Sequence, residues 1–239
     1  MVLVSTRNPL NIGAAARAMS NLGFFQLRVV NPYEASFREA RSAVGAATLL
    51  ASAQEYKTVA DAVADCSLVV GTTAAHNREL YQPLRLLPEA APLIHKHLRS
   101  GGVALLFGSE KRGLSNSDLS YCHWLLRIPT REEHGSMNLG QAVAVCLYEL
   151  ARKVRGKQSR ATAVRAKNSE KPASAGELDR IFDLLLQALR ASGYLEQRTP
   201  AAKEEKIRRM LRRLSLAEED AEVWLGMLRQ VLWKLQHQK

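Results

Sequence analysis

Up to about residue 151, short apolar runs alternate with longer stretches whose apolar residues recur every three or four positions. The runs at 2–4, 27–30, 67–70, 103–107 and 124–128 are brief, nearly continuous in hydrophobicity and bounded by turn residues, which predicts strands. Continuous apolar character means burial on both faces, and hence a mainly parallel sheet. Between them, Ile12, Ala15, Ala16, Met19 and Leu22 have helical spacing, with Gly23 as a stop. Further helices are expected within 39–53, near 58–65, over 88–99 and from Asn138 to Lys153. Alternation of this kind predicts an α/β fold.

The pattern changes beyond residue 154. Residues 154–173 are polar, basic and aperiodic, as in a linker. Three helical patterns follow. Ser174 and Glu177 have capping-box spacing, Thr199-Pro200 has the chemistry of a helix start, and Ser215 with Glu218 repeats the box. The expected organisation is therefore a domain over 1–153, a basic linker over 154–173 and a small all-helical C-terminal domain over 174–239.

Charge sharpens this division. The net charge of +11 splits into +2 for residues 1–151 (14 basic, 12 acidic) and +9 for 152–239 (20 basic, 11 acidic). A basic tail favours a polyanion such as RNA, although solvated helix faces also carry such charge. Arg208, Arg209, Arg212 and Arg213 are spaced to share one helix face. With 46% hydrophobic and 24% charged residues, the composition is that of a soluble globular protein. No apolar run approaches the roughly 18 residues that cross a bilayer, and the N-terminus has no signal-peptide leader, so no membrane association and a cytoplasmic location are expected. Cys66, Cys122 and Cys146 are three, far apart and without CxxC spacing, so neither a metal site nor a disulfide framework is expected.

Three stretches carry the candidate chemistry. The first, 11–17, opens a helix that Asn11 could cap and whose first-turn N–H groups could receive a phosphate; Arg17 follows among small alanines. In the second, 107–113, a strand ends between two glycines that allow a tight turn, and Glu110 could orient a neighbouring loop or accept a ligand hydroxyl. The third, 128–138, is a long polar loop leading into an apolar helix, as a ligand cover would, or as a surface loop with Ser136 as a helix cap. Gly71-Thr-Thr-Ala74 adds small residues after another strand, leaving room for a flat ring. No Gly-x-Gly-x-x-Gly, Gly-x-Ser-x-Gly or HExxH motif occurs, which argues against a dinucleotide-binding Rossmann site, a serine hydrolase and a zinc protease.

Together these residues resemble the SPOUT superfamily of RNA methyltransferases, and within it the TrmH branch. The matching positions are Asn11, Gly13, Arg17 and Ala18; Phe107, Gly108, Glu110, Gly113 and Leu114; and Ile128, Pro129, Ser136 and Asn138. The helical tail is similar to that of the TrmJ type. The resemblance implies a C-terminal trefoil knot in the sheet domain, a homodimer and S-adenosylmethionine as cofactor. It implies cofactor binding by Thr72, Thr73, Ala74, Gly108, Ile128, Gly135, Ser136 and Met137. Its active-site positions fall on Asn11, Arg17, Glu110, Ser136 and Asn138. The activity implied is ribose 2′-O-methylation of tRNA, at anticodon-loop position 32. Methylation of rRNA or of tRNA position 34, and an RNA-binding protein without catalysis, are the alternatives.

Overall fold

In the computed structural model, which describes residues 1–33, 45–74, 79–131, 133, 135–156, 171–196 and 198–237, the apolar runs become parallel strands. These are β1 (Val2–Val4), β2 (Arg28–Val30), β4 (Cys66–Thr72), β6 (Gly102–Phe107) and β7 (Trp124–Arg127). Two edge strands, β3 (Gln54–Tyr56) and β5 (Leu84–Leu86), complete a sheet of order β3-β2-β1-β6-β4-β7-β5, in which every described pairing is parallel. The apolar pattern does not reveal these two. An edge strand buries neither face fully, so Gln54-Glu-Tyr56 is polar and Leu84-Arg-Leu86 is exposed throughout.

Helices α1 (Pro9–Leu22), α2 (Ala47–Ala51), α3 (Val59–Val63), α4 (Leu87–His97), α5 (Asn116–Ser120) and α6 (Leu139–Gly156) connect and cover the strands. Part of the helix expected within 39–53 lies outside the described residues. α1 begins two residues earlier than its apolar spacing indicates. Asn8 caps it, accepting from the Leu10 N–H at 2.9 Å, and Pro9 occupies the first turn. α1 and α6 lie against one another so closely that a Cβ on Gly140 would be 2.7 Å from that of Ala14. Ile12, Ala15, Ala16 and Met19 from α1 meet Val143, Cys146 and Leu147 from α6 in the core on one side of the sheet. Cys146 is thus the small buried hydrophobe its surroundings imply. None of the described helices is long and apolar enough to cross a membrane.

The C-terminal helices are α7 (Ala175–Ala191), α8 (Ala201–Arg213) and α9 (Glu218–Gln236). The Ser174–Glu177 capping box forms as expected. The second does not: Ser215 adopts φ of +49° and α9 starts at Glu218, whose N–H donates to the Lys171 carbonyl. Thr199 likewise caps nothing; its hydroxyl donates to the Glu196 carbonyl, and Pro200 stands at the cap of α8. Leu178, Ile181, Phe182, Leu211, Leu225 and Leu228 form the core among these helices.

This helical layer is fastened to the sheet by arginines. Arg212 is 1% exposed and donates to Asp179 at 2.7 Å and to the Ala175 carbonyl at 3.1 Å. Arg208 lies over the rings of Tyr121 (4.4 Å) and Phe182 (4.1 Å) and donates to Ser120. Arg209 covers the Tyr81 ring at 4.7 Å and pairs with Glu205. The arginine face expected to meet RNA is therefore largely corrected: Arg209 and Arg212 are buried and Arg208 half-buried against α5, α7 and the turns before β5 and β7. Only Arg213 is exposed. A planar guanidinium can stack on rings and form paired hydrogen bonds, so it suits this packing as well as it suits phosphate.

Beside this junction, His123 accepts the Val69 N–H at Nδ1 (3.1 Å). Burial, and then the charge of Arg212, push its pKa down from 6.5 to about 3. Between those values the unfolded chain takes up a proton that the folded chain refuses. Stability should therefore fall as pH drops through this window, by up to roughly 1.4 kcal/mol per pH unit from this group. Denaturant unfolding at pH 7 and pH 5 should show a smaller pH effect in His123→Gln than in the parent chain; equal effects would contradict the assignment.

Candidate active site

The site forms where β4, β6 and β7 release their C-terminal loops, the usual ligand crevice of a parallel sheet. β4 ends in Thr72, whose hydroxyl donates to the Leu106 carbonyl at 2.8 Å, and the Thr73 N–H donates to the Leu126 carbonyl at 3.0 Å. The connection beyond each strand is thus held to its neighbour. Gly71, just before, serves packing rather than ligand room: a Cβ there would lie 2.8 Å from the Cys122 sulfur.

After β6 the chain makes a pinched turn. The Gly113 N–H donates to the Ser109 carbonyl at 2.8 Å, and Gly113 has φ of +66°, a left-handed conformation that glycine adopts without strain. Gly108 packs so tightly against the backbone of Gly113 and Leu114 that a Cβ would overlap it. After β7, the Thr130 hydroxyl donates to the Gly135 carbonyl at 3.2 Å and draws together the two ends of the third loop.

These three loops enclose a cavity of about 520 Å³. Its lining includes all eight residues expected to bind cofactor: Thr72, Thr73, Ala74, Gly108, Ile128, Gly135, Ser136 and Met137. Glu110 lines it as well. Phe107, Leu126, Leu139 and Ala142 contribute apolar wall, and Lys111 and Arg112 lie at its exposed side. The strand ends Phe107 and Leu126 could have been inferred from their place before the loops; Leu139 and Ala142 carry no local signal beyond helical periodicity. Apolar walls with threonine and serine hydroxyls suit a ligand that combines a flat ring with a polar tail.

The three sequence stretches are joined by hydrogen bonds among their polar residues. Asn138 donates to the Asn11 side-chain oxygen at 2.7 Å, and Asn11 donates to Glu110 at 3.2 Å. Glu110 also accepts the backbone N–H groups of Arg7 (3.3 Å) and Asn8 (3.1 Å). Burial raises the Glu110 pKa, but hydrogen bonds from its own backbone, Asn11, Arg7 and Asn8 outweigh that and hold it below the ordinary range. A carboxylate thus sits at the start of α1, where N–H groups and the helix dipole favour negative charge. The Arg7 and Asn8 N–H groups that serve Glu110 lie just ahead of the first turn of α1. Two expectations are revised. Asn11 is not a cap but the middle link between two loops. Asn138, rather than Ser136, caps α6, accepting the Gly140 N–H at 2.9 Å.

Arg17 stands apart from this network. It is exposed on α1, as are Leu10 and Ala14, and is not among the residues lining its own chain's cavity. Replacing Glu110 with glutamine keeps the shape but removes the charge that three N–H donors face. Hydrogen bonds to a charged group contribute about 1.5–3 kcal/mol, so Glu110→Gln should weaken the tie between the first two stretches and lower turnover more than cofactor affinity. Unchanged turnover would show that the network is dispensable.

Comparisons with known proteins identify the family of this chain. The model of the SpoU rRNA Methylase family matches residues 1–148. A Klebsiella pneumoniae protein named tRNA (cytidine/uridine-2′-O-)-methyltransferase TrmJ is 36% identical over 233 residues, covering 95% of this chain and 93% of its own. A Pseudomonas aeruginosa protein named tRNA (cytidine/uridine/adenosine-2′-O-)-methyltransferase TrmJ is 34% identical over 235 residues, covering 95% and 91%. The crystal structure of TrmJ from Z. mobilis ZM4 superposes with a TM-score of 0.81 at 31% identity, over 96% of this chain and 97% of that one. The family model spans the sheet and all three loops of the cavity, and the similarity to TrmJ proteins continues through α7, α8 and α9; this chain belongs to the SpoU methylase family.

Proposed function

We propose that this protein transfers a methyl group from S-adenosylmethionine to a ribose 2′-oxygen of tRNA, at position 32 of the anticodon loop. The observation that carries this reading is that the second and third family stretches line one cavity, to which the first is tied through the Asn138–Asn11–Glu110 hydrogen bonds. The names of the TrmJ relatives, which specify 2′-O-methylation of tRNA, support the substrate. Position 32 rests on the resemblance to the TrmJ type.

The methyl donor supplies an electrophilic carbon on a positively charged sulfur. Its adenine and ribose would lie among Thr72, Thr73, Ala74, Ile128, Gly135, Ser136 and Met137, with Gly108 as the tight floor. The chain's own residues must deliver the nucleophile. When bound, the donor would pass its methyl group to the ribose 2′-oxygen and leave as S-adenosylhomocysteine, the hydroxyl proton being released to solvent. Arg17 positions the hydroxyl or its neighbouring phosphate and eases its deprotonation by stabilising developing negative charge. Holding nucleophile and methyl in line supplies much of the acceleration. Glu110, Asn11 and Asn138 position the loops, and Ser136 faces the donor.

We infer a homodimer with its site at the subunit interface. Arg17 lies on the exposed side of α1, outside its own cavity, with exposed Leu10 (80%) on the same helix and Tyr148 (59%) on neighbouring α6. A partner covering this surface would bury both side chains and bring Arg17 to the second cavity. The trefoil knot belongs to the same proposal; its support is the strand order, in which β7 lies between β4 and β5, both earlier in the chain. The division into a methyltransferase domain over 1–153, a linker over 154–173 and a tRNA-binding helical domain over 174–239 completes the reading.

Incubation with S-adenosylmethionine and total RNA, followed by mass mapping of 2′-O-methyl groups, tests it. The expected modification is at tRNA position 32. Modification of position 34 or of rRNA would move the substrate, and modification of no RNA would reduce the protein to a binding role.

A further inference from the structure

α8 carries more basic residues than its packing uses. Arg208, Arg209 and Arg212 are consumed in the junction with the sheet, and its two acidic residues are consumed on the packed side: Glu204 by Arg190 and Glu205 by Arg209. Lys203, Lys206 and Arg213 remain exposed, and no carboxylate among the described residues pairs with them. At 3.6 residues per turn these three fall within about 80° of arc and extend roughly 15 Å along the axis. The helix begins beside a groove of about 460 Å³ lined by Arg198, Thr199, Pro200 and Lys203, with Glu196 also on its wall. The result is a row of cations on a helix whose other side is clamped by stacked and ion-paired arginines, so its position relative to the methyl-transfer cavity is fixed.

We propose that this outward face of α8, formed by Lys203, Lys206 and Arg213, is the surface that holds the phosphate backbone of the tRNA. Sequence spacing groups Arg208, Arg209, Arg212 and Arg213 together; burial separates them, leaving Arg213 to work with two lysines that spacing among arginines overlooks. The inference rests on tRNA being the substrate. Charge complementarity selects a polyanion: three unpaired cations in a row, on a protein of net charge +11, offer an acidic backbone several contacts at once. Each phosphate contact releases counterions, so each contributes to the salt dependence of binding.

The test is tRNA affinity from 50 to 200 mM salt for the full-length chain and for the triple variant Lys203→Ala, Lys206→Ala, Arg213→Ala. The variant should bind tRNA about tenfold or more weakly at low salt, with the log–log salt slope reduced by about 2. S-adenosylmethionine affinity and thermal unfolding should stay at parental values, because all three side chains are exposed. A variant with parental tRNA affinity and salt slope would overturn the proposal while leaving the methyltransferase reading standing. Failure of the parental chain to bind tRNA at all would overturn both. An affinity loss with unchanged slope would also overturn it, since phosphate contacts cannot be removed without changing the slope.

Discussion

Replacing Gly108 with alanine should weaken S-adenosylmethionine binding severely. The added Cβ would overlap the Gly113 and Leu114 backbone rather than a yielding side chain, so one of the two strands of the turn must move. Overpacking of a closely packed site costs typically 1–3 kcal/mol, and here the displaced segment is itself cavity wall. At 1.4 kcal/mol per tenfold, affinity should fall by up to about 100-fold, and by more if the turn opens. Titration calorimetry measures this directly. Because the turn lies at the end of β6 rather than within the core, cooperative unfolding should persist with a modestly lowered midpoint. Near-parental affinity would show that the loop after β6 does not form the cofactor wall.

The second large effect is expected at Arg17. Arg17→Ala should lower methyl transfer by about 10²–10⁴-fold, the range associated with loss of one group that stabilises charge or assists proton removal in the transition state. Cofactor affinity should be unchanged, since Arg17 lines no part of its own cavity. The proposed dimer adds a sharper expectation. A chain with Arg17→Ala still has an intact cavity, and a chain with Gly108→Ala still has Arg17. If the arginine acts across the interface, mixing the two inactive variants under subunit exchange should restore activity, because each heterodimer has one intact cavity facing one intact arginine. Absence of restoration, with heterodimers demonstrated, would place Arg17 in the site of its own chain.

Much of the sheet was legible because central parallel strands are buried on both faces, which leaves continuous apolar runs such as Val103–Phe107. β3 and β5 were hidden for the converse reason. At the site, the eight residues expected from the motif resemblance to bind cofactor all line one cavity, while Leu139 and Ala142 do so without a local signal. What could not be read was which polar group answers which. The spacing of Asn11 is compatible with a cap, but the adjacent Asn8-Pro9 pair is the better one and takes that position. Asn11 is thereby free to join Glu110 to Asn138, residues about 100 and 127 positions away. The arginines of α8 show the same limit. Charge and periodicity identify a basic face, while only packing distinguishes an arginine stacked on Tyr121 from one left facing solvent.

The central claim is that the cavity serves methyl transfer to ribose. It is tested most directly by incubating the protein with methyl-labelled S-adenosylmethionine and tRNA, digesting the product to nucleosides and locating the label. The account predicts label on 2′-O-methylated nucleosides, lost in Gly108→Ala and in Arg17→Ala. Label on a base, or equal ribose labelling by the Gly108→Ala protein, would contradict it.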